Sequence, residues 1–308
     1  MAPLPPGIEP TGIEATDIDP VDIDAVDIYF TSGPSLVHAS VAGPSQRSPS
    51  ASAVLPGPLL AATLLVPPEA RSTRVPGLVV AHGAGSRRTR HEVFCREACH
   101  EGFAVLSLDF RGHGDSEGLA DGPMEEDVLA AVRVLREMPE VDPEAICYRG
   151  SSMGGFYGLM SAPDAAFAAM VLICPASENE FLDALDKGEI GSNNEASPAE
   201  REGPVRFAPA ALDELPRWDT GALRRYFETR DSLATASRVR CPVLLIHTRA
   251  DDVVPLAHSL ALVQHLAGDT TLVVLSQGGH STAQHDPSMH RQSLAWLRQR
   301  LRPPSPPD

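Results

Sequence analysis

No apolar run in the 308-residue chain approaches the roughly 18 residues that a bilayer-spanning helix needs, so no membrane span is expected. Residues Met1–Pro10 have neither a basic start nor an apolar core, which argues against a secretory signal and makes cytoplasmic residence the expectation. Lysine is almost missing: Lys187 is the single example, and arginine supplies the rest of 25 basic side chains against 41 acidic ones. The resulting formal charge of −16 argues against a nucleic-acid partner, because phosphate binding needs clustered cations. The five cysteines form neither a disulfide framework nor a zinc-binding spacing. Cys95 and Cys99 fall on an expected helix, and Cys147, Cys174 and Cys241 lie in or beside apolar strand-like runs, so buried free thiols are expected. Neither a metal nor an organic cofactor is called for.

What remains is an ordinary globular composition, 43% hydrophobic and 21% charged, in a chain long enough for one large domain or two small ones. The first thirty residues carry Glu9, Glu14, Asp17, Asp19, Asp22, Asp24 and Asp27 with no basic side chain, in an imperfect Ile-Asp/Glu repeat. Such a segment repels itself and buries little surface, so residues 1–25 are expected to be a disordered acidic tail and residues 26–308 the folded domain. A Pro/Ser-rich break follows at Gly43–Pro58.

From Leu59 onward strands and helices alternate. Strands are expected at Leu59–Val66, Gly77–Ala81, Phe103–Asp109, Ala145–Arg149, Ala168–Cys174, Val243–His247 and Thr271–Leu275. Helices are expected at Glu92–Glu101, Met124–Met138, after Gly155 through about Ser161, Leu256–Leu266 and Pro287–Leu301. That alternation predicts an α/β fold with a mostly parallel central sheet covered by helices on both faces. Ser177–Arg240 is too long for a simple crossover. Its helical portions, Glu178–Leu185 and Gly221–Phe227, suggest a cap inserted at about residues 177–240 over the sheet's C-terminal edge.

The chemistry-bearing residues cluster in the loops after those strands, where ligands bind in open parallel sheets. Gly150-Ser151-Ser152-Met153-Gly154 is a G-x-S-x-G between a strand and a helix, a sharp turn that lifts the Ser152 oxygen clear of the backbone. Ser151, at the variable position, is expected to face away. A serine hydroxyl needs a base to take its proton and an acid to orient that base. Asp251 follows the strand Val243–His247 and His280 follows Thr271–Leu275, the chain order serine, acid, base. Asp252, His285 and His113 are the competing side chains. His82-Gly83-Ala84-Gly85 can offer a backbone N–H, with that of Met153, to a developing oxyanion; Ala84 is the expected donor in that loop.

Taken together, His82-Gly83-x-Gly85, Asp109-Phe110-Arg111-Gly112-His113-Gly114, Gly150-x-Ser152-x-Gly154-Gly155, His247-x-x-x-Asp251-x-x-Val254-Pro255 and Gly279-His280 resemble the α/β-hydrolase superfamily over residues 59–302. The similarity is to its esterase-like and serine-aminopeptidase-like branch. It implies an α/β-hydrolase fold and a serine hydrolase without metal or cofactor, with Ser152, Asp251 and His280 catalytic. By the same resemblance Asp251 rather than Asp252 is the acid, Thr248 stands where a glycine is common, and the Asp109–Gly114 segment is a structural turn beside the site.

The expected reaction is hydrolysis of a small acyl substrate, an ester before a thioester or amide, through an acyl-enzyme. Two alternatives are an acyltransferase using the same triad and a binding module that no longer catalyses. Trp218 and Phe227 in the insertion are the expected substrate-binding side chains, with packing onto the body as their other reading.

Overall fold

The computed structural model describes residues 23, 25–32, 40–41, 57–190 and 215–301. The expected acidic tail therefore lies outside the described residues except for Ile23 and Ala25, and so do residues 191–214 of the insertion. Ile23 is buried and Ala25 opens a strand, so the described body begins slightly before residue 26.

In chain order the strands are β1 (Ala25–Thr31), β2 (Ser40–Val41), β3 (Leu59–Leu65), β4 (Val75–Ala81), β5 (Ala104–Leu108), β6 (Val141–Ser151), β7 (Ala169–Ile173), β8 (Val243–Thr248) and β9 (Thr270–Leu275). The helices are α1 (Glu92–His100), α2 (Glu125–Glu137), α3 (Met153–Ala165), α4 (Glu178–Asp186), α5 (Thr220–Phe227), α6 (Ser232–Ala236), α7 (Leu256–His265), α8 (Thr282–His285) and α9 (Pro287–Leu301).

Among the described residues one nine-stranded sheet runs β2-β1-β3-β5-β4-β6-β7-β8-β9. The six strands from β5 to β9 in that order pair in parallel, and β1, β2 and β3 join antiparallel at one end. Strands β4, β5, β7 and β8 carry nearly continuous apolar runs because helices cover both of their faces. On one face Val79, Ala81, Tyr148, Met170, Leu172 and Leu245 pack with α2 and α3. On the other, Leu78, Val80, Cys147, Val171, Ile173 and Ile246 pack with α1 and α9. The free cysteines are buried or half-buried in these layers, as expected.

Register decides what gathers at the sheet's C-terminal edge. Ala81 stands beside Gly150, Gly150 beside Leu172, Ser151 beside Ile173, Ile173 beside Ile246, and Thr248 beside Leu275. The loops beginning at His82, Ser152, Cys174, Arg249 and Ser276 therefore leave the sheet side by side.

β1 was not expected as a strand. Its alternation is real, with Ile28 and Phe30 buried and Ala25 and Asp27 exposed, but it starts inside the acidic repeat, and charge masked the pattern. The Asp109–Gly114 segment is structural, as the resemblance implied. The fully buried Asp109 carboxylate accepts from the Arg88 backbone N–H at 2.6 Å and the Asp115 N–H at 3.0 Å, and pairs with the Arg88 guanidinium. This ties the loop after β5 to the loop after β4.

α3 lies unusually close to β6. At Gly158 a methyl group would overlap the ring of the fully buried Tyr148. Gly158→Ala should therefore lower unfolding free energy by about 1–3 kcal/mol through overpacking. The exposed Val93→Ala should stay within about 0.5 kcal/mol. Urea unfolding measures both, and equal midpoints for the two variants would mean that α3 does not approach β6 so closely.

Candidate active site

β6 turns into α3 at Ser152, whose backbone has φ 52° and ψ −113°. A non-glycine residue there costs free energy, on the order of 1–3 kcal/mol, and persists only where its surroundings hold it. Here the Ser152 N–H donates to Ile173 O at 2.9 Å, and the Ser152 carbonyl accepts from Phe156 N at 3.0 Å and Ala176 N at 3.2 Å. Gly154 allows the approach: a Cβ there would stand 2.6 Å from the carbonyl oxygen of Ala81. As the first residue of α3, Met153 has no carbonyl in the preceding turn to receive its N–H.

The loop after β4 lies against the serine. A Cβ added at Gly83 would be 3.3 Å from that of Ser152, and Ala84 and Ser152 line the same cleft. His82 shapes this loop. Its ring accepts from Phe110 N–H through Nε2 at 3.1 Å, which leaves Nδ1–H to donate to Gly83 O at 2.8 Å. Burial lowers the pKa of His82 and so favours that neutral ring.

Asp251 and His280 come together. His280 Nδ1 is 2.8 Å from Asp251 Oδ2, and Asp251 Oδ1 accepts from the N–H groups of Val253 at 2.9 Å and Val254 at 2.8 Å. Burial alone would raise this carboxyl's pKa, but the hydrogen bond and charge of His280, with the backbone donors, hold it down at about 2. The Asp251 side chain is fully buried and His280 is 13% exposed, whereas Asp252 is exposed. The Thr248 hydroxyl donates to Gly279 O at 3.1 Å, fastening the end of β8 to the histidine loop. His247 braces the acid loop from below, with Nε2 3.0 Å from Val254 O and Nδ1 2.7 Å from Ser259 Oγ.

The competing histidines sit elsewhere. His113 is buried against Trp218 and His82, with ring centroids 4.9 and 5.1 Å away, and burial pushes its pKa well down. His285 stacks on His91 at 5.8 Å. Ser151 turns to the opposite face, as expected, and donates to Gln284 Oε1 at 2.6 Å.

Cys174, His247 and Asp251 bring sulfur, nitrogen and oxygen within 4.8 Å of one another. Both His247 nitrogens and the Asp251 oxygens are already engaged in the bonds above, and burial pushes the Cys174 thiol up to about 12. The donor set therefore does not fit a resident metal.

A cleft opens beside Ser152, lined by Ala84, Ala176, Phe181, Ala184, Ile190 and Val254 and by the acidic Glu180, Asp183 and Glu189. The expected insertion side chains do not line it. Trp218 packs on His113, and Phe227 stacks on Phe181 with centroids 4.3 Å apart. Their packing reading is the one the geometry carries, and Phe181 of α4 forms the wall in their place. The local signal for that wall is the capping box Ser177-x-x-Glu180, which starts α4 just past the loop after β7.

The chain can now be compared with known proteins. The quorum-quenching protein AidA of Acinetobacter baumannii is 37% identical over 110 residues, 33% of this chain and 36% of AidA. The chain spans between 36% and 64% of the length of several curated relatives that it matches. The α/β hydrolase GrgF from Penicillium sp. sh18 superposes with a TM-score of 0.66 at 17% identity, covering 91% of this chain and 99% of that one. Acetyl xylan esterase 1 from Thermoanaerobacterium sp. JW/SL YS485 superposes with a TM-score of 0.59 at 17% identity, covering 80% and 81%. A family model described as the alpha/beta hydrolase family matches residues 78–291, from β4 into α9, and the chain belongs to that family.

Proposed function

We propose that this protein is a serine hydrolase that cleaves a carboxylic ester through an acyl-enzyme on Ser152. The observation that carries the reading is the 2.8 Å bond between His280 Nδ1 and the buried Asp251, in loops that share the sheet's C-terminal edge with the strained turn at Ser152. Kinship with a family of hydrolases, and a fold shared with an acetyl xylan esterase, support an ester as the substrate.

In the proposed reaction His280, through Nε2, takes the proton as Ser152 Oγ attacks the carbonyl carbon. Asp251 keeps Nδ1 protonated and stabilises the imidazolium that forms. The carbonyl oxygen, now negative, rests on the N–H groups of Met153 and Ala84. Collapse returns the proton from His280 to the leaving alcohol, and water repeats the sequence on the acyl-enzyme. The described parts of residues 177–240 form the cap in this reading, and α4 supplies the wall beside the acyl group.

A fluorophosphonate should label the wild type at Ser152 alone. Ser152→Ala should lower kcat by about 10⁶-fold while the fold persists. Labelling at Ser151, or turnover undiminished in Ser152→Ala, would refute the nucleophile.

Asp251→Asn should cost about 10⁴-fold in kcat, since the replacement favours the wrong tautomer of the histidine. Asp252→Asn, on an exposed side chain, should change little. A reversed ranking of the two asparagine variants in steady-state assays of purified protein would reassign the acid.

The pH profile separates acid from base. A carboxyl held at about 2 stays ionised, and keeps its stabilising bonds, until pH falls through that value. Protonation of Asp251 therefore cannot cause a loss of kcat/KM above about pH 4. The base accepts a single proton from the serine, so any acid limb of kcat/KM above about pH 4 belongs to a group other than Asp251. The limb should have the slope of a single protonation, and a two-proton slope would contradict a lone base.

A further inference from the structure

Ser151 and Gln284 have no part in the reaction above, yet they meet where the nucleophile and base segments meet. Side chains two apart on a strand share a face, so Cys147, Arg149 and Ser151 of β6 all point toward α1, α8 and α9, away from the cap side. Ser151 immediately precedes the nucleophile, and Gln284 lies four residues after His280 on the short α8. The Ser151 hydroxyl donates to Gln284 Oε1 at 2.6 Å. The Gln284 carbonyl accepts from the Arg149 guanidinium at 2.9 Å and from His290 Nε2 at 2.8 Å. His290 is held in turn by Glu97 of α1, with Nδ1 2.8 Å from its carboxylate. Arg149 is almost fully buried, and its guanidinium lies 3.9 Å over the Phe94 ring.

The His280 loop is thus fastened on two sides. On the acid side it is held by Asp251 and by Thr248 through Gly279 O. On the nucleophile side, among the described residues, Gln284 carries both the Ser151 bond and the Arg149 bond. Asp251 orients the imidazole but sits in the loop after β8, two strands from β6, so it cannot by itself set the spacing between base and nucleophile.

We infer that Ser151 and Gln284 are positioning residues whose hydrogen bond sets the spacing between Ser152 and His280. This rests on the proposed triad. A base displaced by a fraction of an ångström still allows substrate to bind but takes the serine proton less readily, so the loss belongs in kcat rather than KM.

The test is a double-mutant cycle of Ser151→Ala, Gln284→Ala and the pair together. It is read as fluorophosphonate labelling rate and as kcat and KM for p-nitrophenyl acetate, with folded protein checked by circular dichroism. Each single variant should lose about tenfold in labelling rate and in kcat with KM kept, and the pair should lose about the same tenfold, because one shared bond is removed once. Multiplying losses, unchanged rates per folded molecule with only a lower melting temperature, or a loss confined to KM would each overturn the inference. Ser151→Ala, which deletes one oxygen, decides the matter alone if Gln284→Ala does not fold: a full labelling rate refutes the role. A wild type that the probe does not label at Ser152 would instead overturn the triad.

Discussion

Everything at the functional edge of the sheet depends on the backbone of one residue being held where it would not go by itself. Ser152, at φ 52°, puts a side chain in a region that sterics leave to glycine, and the surrounding chain over-determines it. Strand β7 receives its N–H, while α3 and the loop after β7 bond its carbonyl. Gly154 lets the start of α3 sit on the end of β4. Each of these contacts also positions something else. The β7 contact brings Ala176 to the cleft, and the β4 contact brings the His82–Gly85 loop against the serine. The strained turn and the gathering of loops are therefore one construction, and relaxing the turn would disperse the site.

A second constraint is the desolvation of Asp251. A fully buried carboxylate is unfavourable unless its lone pairs are satisfied. Two backbone N–H groups and one imidazole satisfy this one, so burial and ionisation coexist. The backbone donors come from Val253 and Val254, which also face the cleft, so the loop that stabilises the charge also shapes the substrate space. His247 stabilises this loop and carries no reaction step. Burial lowers its pKa, as it does for His82 and His113, and these rings act as neutral, oriented hydrogen-bond partners. Eleven histidines thus overstate the acid–base capacity of the chain. What distinguishes His280 is a fully buried carboxylate on Nδ1, in a loop at the sheet's C-terminal edge, whereas the Glu97 carboxylate that holds His290 is partly exposed.

β4, β5, β7 and β8 were legible because each is a short apolar run buried on both faces. Expected and observed bounds differ by only a residue or two for β3, β5, β7, β8 and β9, and α9 matches at both ends. Ser152, Asp251 and His280 were legible as an order of loops, since strand register converts sequence order into adjacency. Other features depend on tertiary pairing that no local period reports. β1 shares its residues with an acidic repeat, and α8 is a single turn. Phe181 and Phe227 are equivalent on helical periodicity, and only the approach of α4 to the cleft makes one the wall and the other its backing. Gln284 carries no motif at all. Its role comes from Ser151, Arg149 and His290 converging on it.

The division of labour between sheet and insertion has a further consequence. All described bonds that orient Ser152, Asp251 and His280 arise from loops at the sheet's edge and from α3 and α8. The apolar wall of the cleft comes instead from α4 and Ile190, and it is stiffened by the stack of Phe181 on Phe227 and by their contacts with Phe156. Phe156 belongs to α3, one turn beyond the nucleophile, so the aromatic cluster rests on the helix that the serine turn begins. Side chains on α4 can then change the size of the acyl space without touching a bond that orients the triad, provided that the Phe156 contact is kept. Specificity can vary separately from chemistry up to that ring. A change reaching Phe156 itself would move the start of α3, and with it the Met153 N–H that the proposed reaction assigns to the oxyanion.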